Sequence, residues 1–388
     1  MTDAVTKQQA VALRDHFAAR RNELLDLTRE LVETESPSGD QSGSQAVVSV
    51  LESAAKRIAA VHSIERIPAN AFGEHLKISA FAQAPEAPVV LLGHTDTVHP
   101  RGATQARPWR KEDNRIYGPG IFDMKSNCAL ALEILRALQL SNVLAKRPVN
   151  LLLTCDEESG SPSGRDLVEA EGKNARAVLV LEPSASGGRV KTSRKGTGMF
   201  TIEVHGRAAH AGLDPEKGIN AVLELARQTI NLSALNDPSA GTNVTVTVVR
   251  GGTHSNVVPD KATAEIDVRF TSTEAAQILE QKILSLKPLD DRAQVIVSGG
   301  INRPPLERTA AVQELYAQAR NIASWLDFDL GEASVGGGSD GNFVGALGTP
   351  VLDGLGIEGD GAHAAHEHIM IDNIPVRGAM LAALIASL

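Results

Sequence analysis

The spacing of apolar residues along the first half of the chain predicts alternating helices and buried strands. Apolar side chains recur every three to four positions over 8–33 and 45–60, as in amphipathic helices, and a further helix is predicted over 126–139. Strands are predicted near 61–67 and 75–82. Three continuous apolar runs are typical of strands buried on both faces: Val89–Leu92, Val149–Leu153 and Ala177–Leu181. This order predicts an α/β fold with a mostly parallel sheet that helices cover on both faces.

The pattern changes near Gly196, where apolar and polar residues begin to alternate as they do in half-exposed strands. Strands and helices then follow in the order β-α-β-β-α-β: Met199–His205, Gly218–Leu232, Thr242–Val249, Ala262–Phe270, Thr273–Leu286 and Ala293–Val297. That order predicts a ferredoxin-like domain with an antiparallel sheet, inserted over 196–303. The α/β pattern then returns, with a helix over 309–326, a strand at Pro350–Leu352 and a closing helix after Pro375. The larger domain is therefore predicted to be discontinuous, comprising 1–195 and 304–388.

Composition narrows the class of protein. The chain has 388 residues, which suggests two domains. Its net charge of −9 and pI near 5.7 argue against a nucleic-acid or anionic-membrane partner. Met1–Lys7 shows no export signal, no stretch is long enough to span a membrane, and Cys128 and Cys155 are the only cysteines. The absence of an export signal and the presence of two cysteines in apolar segments predict a cytoplasmic protein with two packed thiols.

Acidic and histidine residues recur just after the predicted strands or in the loops that follow them. They are His94 with Asp96, Asp123, Asp156–Glu158, Glu182, and His363 with His366–His368. Sites form at the carboxyl edge of such sheets, and so many carboxylates at one edge would repel each other unless a cation compensated them. We therefore predict that His94 and Asp123 bind metal and that Asp96 orients the ring of His94. Mixed histidine and carboxylate ligands suit zinc, and cobalt and manganese are compatible with them.

Two other motifs overlap between Gly336 and Gly341. A G-x-G-x-x-G pattern is present, but the strand and βαβ context that dinucleotide binding needs is missing. A G-x-S-x-G pattern surrounds Ser339, and Asp360 and His363 follow in the order of a serine hydrolase. That alternative leaves the carboxylates between Val89 and Glu182 unexplained. A third interpretation is a tight turn that starts a helix at Ser339 or Asp340.

Three segments together resemble a known enzyme family. They are Gly93-His94-Thr95-Asp96-Thr97-Val98, Gly118 to Lys125, and Asp156-Glu157-Glu158 with Gly160. The sequence resembles the dinuclear zinc peptidases and deacylases, which include glutamate carboxypeptidase, acetylornithine deacetylase, succinyl-diaminopimelate desuccinylase and aminoacylase. The resemblance covers nearly the whole chain, including the inserted domain, and is strongest to the glutamate carboxypeptidase branch.

The resemblance implies two Zn²⁺ per chain and a role for each site residue. It makes His94 and Glu182 ligands of one zinc, Asp123 the bridge, and Glu158 a ligand of the second zinc. The last ligand would be His363, matched by its distance from Glu367, while the roles of His366 and His368 stay open. Glu157 matches the general base, and Asp96 the carboxylate that orients His94.

The inserted domain also carries residues that match the family. His210, within Gly206–Gly212, matches a histidine that polarises the scissile carbonyl, sometimes from a neighbouring subunit. Asn256 and Arg269 match residues that face the substrate, and Arg303 matches an arginine that holds a substrate carboxylate in glutamate carboxypeptidases. The resemblance further implies that this inserted domain acts as a lid and forms a homodimer, with the outer strand Thr242–Val249 offering a pairing edge.

The implied reaction is metal-dependent hydrolysis of an amide bond next to a free carboxylate, in a peptide, N-acyl amino acid or folate-type substrate. Release of C-terminal glutamate fits the resemblance best. The alternatives are an N-acyl-amino-acid deacylase, a dipeptidase, the serine hydrolase above, and an inactive binding protein on the same fold. The sequence does not distinguish the acyl or peptidyl group, the native metal, or a monomer from a dimer.

Overall fold

The computed structural model of the chain describes residues 5–81, 86–140 and 145–388. The end of the predicted strand 75–82 and the first four residues of the Met1–Lys7 segment lie outside the described residues. The helices are α1 Lys7–Ala19, α2 Arg21–Glu33, α3 Gln41–Ala55, α4 Ala103–Ala106, α5 Ser126–Leu140, α6 Arg165–Gly172, α7 Ala221–Ser233, α8 Thr273–Leu284, α9 Ala310–Trp325, α10 Gly341–Ala346 and α11 Ile374–Ser387. The strands are β1 Val61–Ala69, β2 Gly73–Ala80, β3 Val89–His94, β4 Arg110–Glu112, β5 Arg115–Tyr117, β6 Val149–Thr154, β7 Ala177–Val180, β8 Val190–Arg194, β9 Gly196–His205, β10 Asn243–Gly251, β11 Lys261–Phe270, β12 Gln294–Arg303, β13 Glu332–Val335, β14 Val351–Leu352, β15 Gly359–Asp360 and β16 His368–Met370.

The chain divides into two compact units. The first contains the chain up to Ser193 together with Arg308–Val335 and Ser339–Leu388, and the second contains Arg194–Glu307 with Gly336–Gly338. The second unit is slightly wider than 196–303 because the backbone of Arg194 pairs with Leu306. In addition, the Arg194 guanidinium donates to the carbonyls of Gly337 and Gly338.

A six-stranded sheet in the order β1-β2-β6-β3-β7-β14 forms the centre of the first unit. β6, β3, β7 and β14 are parallel to one another, whereas β2 pairs antiparallel with β6 and forms an antiparallel hairpin with β1 at one edge. Every residue of β3 is buried, which requires cover on both faces of the sheet. The α/β fold with a mostly parallel sheet is therefore confirmed.

Different helices cover the two faces of this sheet. Leu91, Leu151 and Leu179 share one hydrophobic core with residues of α1, α2, α3, α5, α9 and α11. On the opposite face α10 contacts β7, and a Cβ atom added to Gly341 would lie 2.8 Å from the side chain of Val180. The apolar strands thus hold their carboxyl ends in a fixed order between two helical layers.

The single helix predicted over 8–33 was wrong, because the chain breaks at Arg20 between α1 and α2. The Arg20 guanidinium and the ring of His16 both reach the buried carboxylate of Glu133, at 2.6 and 2.9 Å. α1 packs mainly against α11, and α2 against α5. Two helix directions satisfy both contacts, which one straight helix would not.

The structure also contains small sheets that the hydrophobic pattern did not predict. A four-stranded sheet has the order β15-β16-β5-β4, and β8 pairs with β13. Strands of two to five residues are too short to show a clear alternation. They matter because β16 and its loop carry the histidines that follow Gly361.

The second unit has the strand order β10-β11-β9-β12, with every neighbour antiparallel. Alternate residues of β9 and β11, including Ile202, Val204 and Ile266, form a core with α7 and α8. β10 and β12 are the edges of this sheet.

Candidate metal centre

His94, the last residue of β3, is buried with both ring nitrogens in polar contact. Its Nδ1 lies 3.0 Å from the carbonyl oxygen of Asp96 and 3.3 Å from its carboxylate. Nε2 lies 3.1 Å from Asp123 Oδ1 and 3.3 Å from Glu182 Oε1. A metal-binding histidine usually donates its other ring N–H to such an acceptor. Nδ1–H directed at Asp96 would leave the Nε2 lone pair pointing at the carboxylates.

Asp123 lies in the loop Ile121–Lys125. Its Oδ1 contacts His94 Nε2, and its Oδ2 lies 3.3 Å from His363 Nε2. Gly120 precedes this loop with φ +70°, and a Cβ atom there would approach Thr97 to 2.5 Å. Both conditions favour glycine. The carboxylate of Asp123 therefore faces two imidazoles at once, as a bridging ligand must.

The turn after β6 presents Glu157 and Glu158 toward the same place. The Asp96 carboxylate accepts hydrogen bonds from the backbone N–H groups of Glu157 and Glu158 at 3.2 and 3.1 Å, and from Ser38 Oγ at 2.6 Å. Asp96 thus fixes both the ring of His94 and this turn, although the two segments lie about sixty residues apart.

His363 approaches from the loop before β16. Its Nε2 lies 3.1 Å from Glu158 and 3.3 Å from Asp123. The residue has φ +64°, a left-handed conformation that is uncommon outside glycine and is maintained where surrounding contacts determine it. His366 and His368 lie elsewhere: His366 is exposed, and His368 Nδ1 bonds to the carbonyl of His366 while its ring packs on Tyr117.

Among the described residues, two groups of side chains bring potential ligand atoms within 4.8 Å of one another: His94, Asp123 and Glu158, and His94, Glu157 and Glu182. Both groups combine an imidazole nitrogen with carboxylate oxygens, a donor set that divalent transition metals accept. Glu157, matched above to the general base, lies beside His94 and Glu182. The five residues predicted as ligands therefore meet in one place.

The charges at this place are arranged to receive a cation. Burial disfavours the charged ring of His94, but hydrogen bonds to Asp123, Asp96 and Glu182 outweigh it and hold its pKa well above the usual value. Hydrogen bonds to Asp123 and Glu158 raise the pKa of His363 to about 10. Burial raises the pKa of Glu158 and opposes ionisation of Asp123, whose pKa nevertheless falls because of its bonds to both histidines. Without a metal, protons on the imidazoles supply the positive charge that the carboxylates need.

Sequence reasoning missed a carboxylate that supports this centre. Glu367 is buried, and its two oxygens accept hydrogen bonds from the backbone N–H groups of Gly120, Phe122 and Asp123 at 2.7, 2.9 and 3.0 Å. In the sequence analysis Glu367 was one member of the loop cluster and the spacing mark for His363, without a role of its own. No local pattern indicates a contact between residues more than 240 positions apart.

The predicted catalytic histidine His210 and the three predicted substrate-binding residues belong to the second unit. His210 Nδ1 accepts hydrogen bonds from the backbone N–H groups of Gly212 and Leu213, both at 3.1 Å, so the ring proton is assigned to Nε2. The backbone N–H of Ala211 donates to the carbonyl of Asn256 at 2.9 Å, which places the His210 and Asn256 segments side by side.

Arg269 on β11 and Arg303 on β12 both pair with Thr197 of β9, on its two sides. Arg269 bonds bidentately to Asp267 at 2.8 and 2.7 Å, and Arg303 is buried with Nη1 3.1 Å from Asn302 Oδ1. The two arginines therefore lie level with each other on the two strands that flank β9.

The geometry argues against the serine-hydrolase alternative. Ser339 is fully buried, and its hydroxyl donates to Asp353 at 2.6 Å. His363, which that alternative needs as the base, instead faces Asp123 and Glu158. α10 begins at Gly341 after Asp340, so this stretch is a turn that starts a short helix.

Comparison with known proteins decides the family. The model of peptidase family M20/M25/M40 matches residues 90–387. The chain belongs to this family. It is 30% identical over 366 residues to carboxypeptidase G2 of Pseudomonas sp. (strain RS-16), covering 92% of this chain and 88% of that protein. It is 26% identical over 373 residues to succinyl-diaminopimelate desuccinylase of Leptothrix cholodnii, covering 89% and 93%.

A solved structure agrees with the fold. The aminopeptidase PepT from Bacillus cereus superposes with a TM-score of 0.75 at 21% identity, over 95% of this chain and 98% of that one. The family resemblance and the enzyme class predicted from the sequence are confirmed: this is a metallopeptidase or amidohydrolase that hydrolyses amide bonds with the help of metal. Within the described part of the chain, every helix is too short or too polar to span a membrane.

Proposed function

We propose that the protein removes a C-terminal glutamate, or a similar residue with a free α-carboxylate, from peptidyl, N-acyl or folate-type substrates. The observation that carries the proposal is the meeting of His94, Asp123 and Glu158 with Glu157 and Glu182. Similarity to carboxypeptidase G2 over most of the chain supports the choice of substrate. The runner-up, an N-acyl-amino-acid deacylase, is supported by similarity to the desuccinylase, and a dipeptidase would use the same centre.

We infer two Zn²⁺ per chain, because imidazole nitrogens and carboxylate oxygens are its usual donors and Asp123 contacts both histidines. His94 and Glu182 would hold one ion, Glu158 and His363 the other, and Asp123 both. Zinc supplies Lewis-acid polarisation of the amide carbonyl and lowers the pKa of the attacking water toward about 7. Cobalt or manganese would fit the same donors.

The remaining steps are assigned to side chains of this protein. Glu157 takes a proton from the attacking water as the oxygen bonds to the amide carbon, and returns that proton to the leaving amine as the C–N bond breaks. Asp96 keeps Nδ1–H of His94 occupied and so keeps Nε2 available. His210 donates from Nε2–H to the developing oxyanion, since its Nδ1 already accepts two backbone hydrogen bonds.

Three residues of the second unit are proposed to select the substrate. The planar fork of an arginine matches a carboxylate in a bidentate manner, and Arg303 and Arg269 are the proposed receptors for the α-carboxylate. Asn256, beside the His210 segment, is the proposed partner of the amide or its neighbouring polar groups. The second unit would then act as a lid that closes on the substrate.

The first test is release of free amino acid from a panel of dipeptides, N-acyl amino acids and folates, with and without chelator. Chelator-sensitive release of glutamate supports the proposal. Release from acetyl- or succinyl-amino acids alone would move the substrate to the deacylase class. Release that survives thorough removal of metal would overturn the metal centre.

The role of Glu157 has a separate test. Glu157→Gln should abolish turnover while the protein retains its metal, because the amide cannot take up the proton. Glu158→Gln should lose metal as well, and Glu30→Gln, at an exposed position, serves as the control. Loss of metal in the Glu157 variant together with its retention in the Glu158 variant would show that the two roles had been exchanged.

We further propose that the protein is a homodimer formed through the second unit. β10 is an edge strand on which Val249 is 59% exposed, and Leu223 and Ile230, seven residues apart on α7, are 49% and 70% exposed. An unpaired edge and an apolar helix face are the features that isologous interfaces use. A cytoplasmic location also stays a prediction, supported by two buried free thiols, Cys128 and Cys155.

A further inference from the structure

The Glu367 carboxylate holds the Asp123 loop, and a fourth donor holds Glu367. His99 Nε2 lies 2.6 Å from Glu367 Oε2, which also accepts from Gly120 N–H, while Oε1 accepts from Phe122 and Asp123. Glu367 and His99 are 2% and 7% exposed. A buried carboxylate keeps its place when its oxygens are saturated with donors. His99 therefore completes the set that fixes the backbone of Asp123.

Arg107 decides which nitrogen of His99 carries the proton. Its Nη2 lies 3.2 Å from His99 Nδ1. A guanidinium donates and never accepts, so Nδ1 accepts the hydrogen bond and the ring proton is at Nε2, facing Glu367. Without Arg107 the carboxylate would still favour a proton on Nε2, but Nδ1 would lose the donor that holds the ring in this orientation.

Arg107 also reaches the second ligand segment. Its Nη1 lies 3.3 Å from the carbonyl oxygen of Ala364, the residue after His363, whose φ of +64° is a conformation that needs outside support. Arg107 thus contacts two partners. One is His99, which acts on the Asp123 loop through Glu367, and the other is the loop that carries His363.

We propose that His99 and Arg107 are positioning residues of the metal centre. His99 sets the backbone at Asp123 through Glu367, and Arg107 holds both the ring of His99 and the Ala364 carbonyl beside His363. The inference rests on the two-metal centre proposed above. Neither residue touches the expected ligand atoms, so each acts through others. Partners one step removed from a metal typically change affinity or activity about 10- to 100-fold when they are lost.

The test compares two substitutions at one position. His99→Gln places an amide N–H near the position of Nε2 and an oxygen that can face Arg107, whereas His99→Leu removes donor and acceptor with little loss of volume. We expect His99→Leu to weaken zinc affinity by about 10- to 100-fold, measured by competition with a chromophoric chelator, and to change the visible spectrum of the cobalt-substituted protein. His99→Gln should stay within about threefold of wild type, and Arg107→Met should fall between the two. His62→Leu, at an exposed histidine of β1, is the matched control.

Each outcome has a defined meaning. Rescue by Gln with loss in Leu supports positioning through Glu367. Unchanged zinc affinity and cobalt spectrum in His99→Leu would overturn it, and so would equal losses in Leu and Gln accompanied by an equally lowered unfolding midpoint of the metal-free proteins. Wild-type metal content is measured first. A wild type that retains no metal would refute the proposed function itself, and the positioning inference would fall with it.

Discussion

Replacing Asp96 with asparagine should both destabilise the protein and weaken its metal centre. Oδ1 of Asp96 accepts from the backbone of Glu157 and faces Nδ1 of His94, while Oδ2 accepts from the backbone of Glu158 and from Ser38 Oγ. An asparagine has one oxygen and one NH₂ group in the same space. Whichever way its amide is turned, the NH₂ faces a backbone N–H group, so at least one buried donor loses its acceptor.

The size of the effect follows from that count. Leaving one buried donor unsatisfied costs about 1–3 kcal/mol. Asp96 is only 3% exposed, so little water reaches the donors around its carboxylate. We expect the free energy of unfolding to fall by about 1–3 kcal/mol. Ser38→Ala removes a single donor to the same carboxylate and should cost about 1 kcal/mol. Because the turn at Glu158 and the ring of His94 both lose their support, zinc affinity should fall about 10- to 100-fold.

Urea unfolding of the metal-free proteins measures the first effect, with an unchanged m-value as the sign that the two states are comparable. Chelator competition measures the second. Asp15→Asn, at a side chain that is 67% exposed, is the control. An Asp96→Asn protein within about 0.5 kcal/mol of wild type, with unaltered zinc affinity, would refute the assigned role of this carboxylate.

Two further predictions concern other parts of the chain. Burial raises the pKa of the Cys128 and Cys155 thiols to about 12, against 9.0 for an unfolded thiol. At pH 8 the native thiols should therefore be alkylated about a thousandfold more slowly than in urea. Because the unfolded chain loses these protons first, the stability they contribute is complete below pH 9 and declines as pH rises toward 12. Native and denatured rates that agree would contradict the burial. Separately, Ile230→Glu should convert a dimer to a monomer in analytical ultracentrifugation, while Leu347→Glu, 46% exposed on the first unit, should not. A wild type that is already monomeric would contradict the proposed interface.

Much of the candidate metal centre could be predicted because three of its proposed ligands follow strands that the local sequence indicates. The apolar run Val89–Leu92 predicts a buried strand, and a parallel sheet brings the carboxyl ends of its strands to one edge. His94 and Glu182 follow from this rule, and the turn with Glu158 follows β6. Periodicity and turn residues, which act over a few positions, were sufficient to place these residues at one edge of the sheet, whereas the ligand roles of Glu158 and Glu182 came from the resemblance to the family.

Tertiary structure decided what depends on partners far away in sequence. The apolar pattern over 8–33 predicts one helix. The chain nevertheless breaks at Arg20, because Arg20 bonds to Glu133 while α1 packs against α11 and α2 packs against α5. Glu367 and His99 stand 268 residues apart, and each alone is an ordinary polar side chain. The sequence by itself determined the α/β pattern, and it predicted an inserted antiparallel unit and a set of candidate metal-binding residues. Only folding decided how those residues are held, because a buried carboxylate is satisfied by whichever donors the packed chain brings to it.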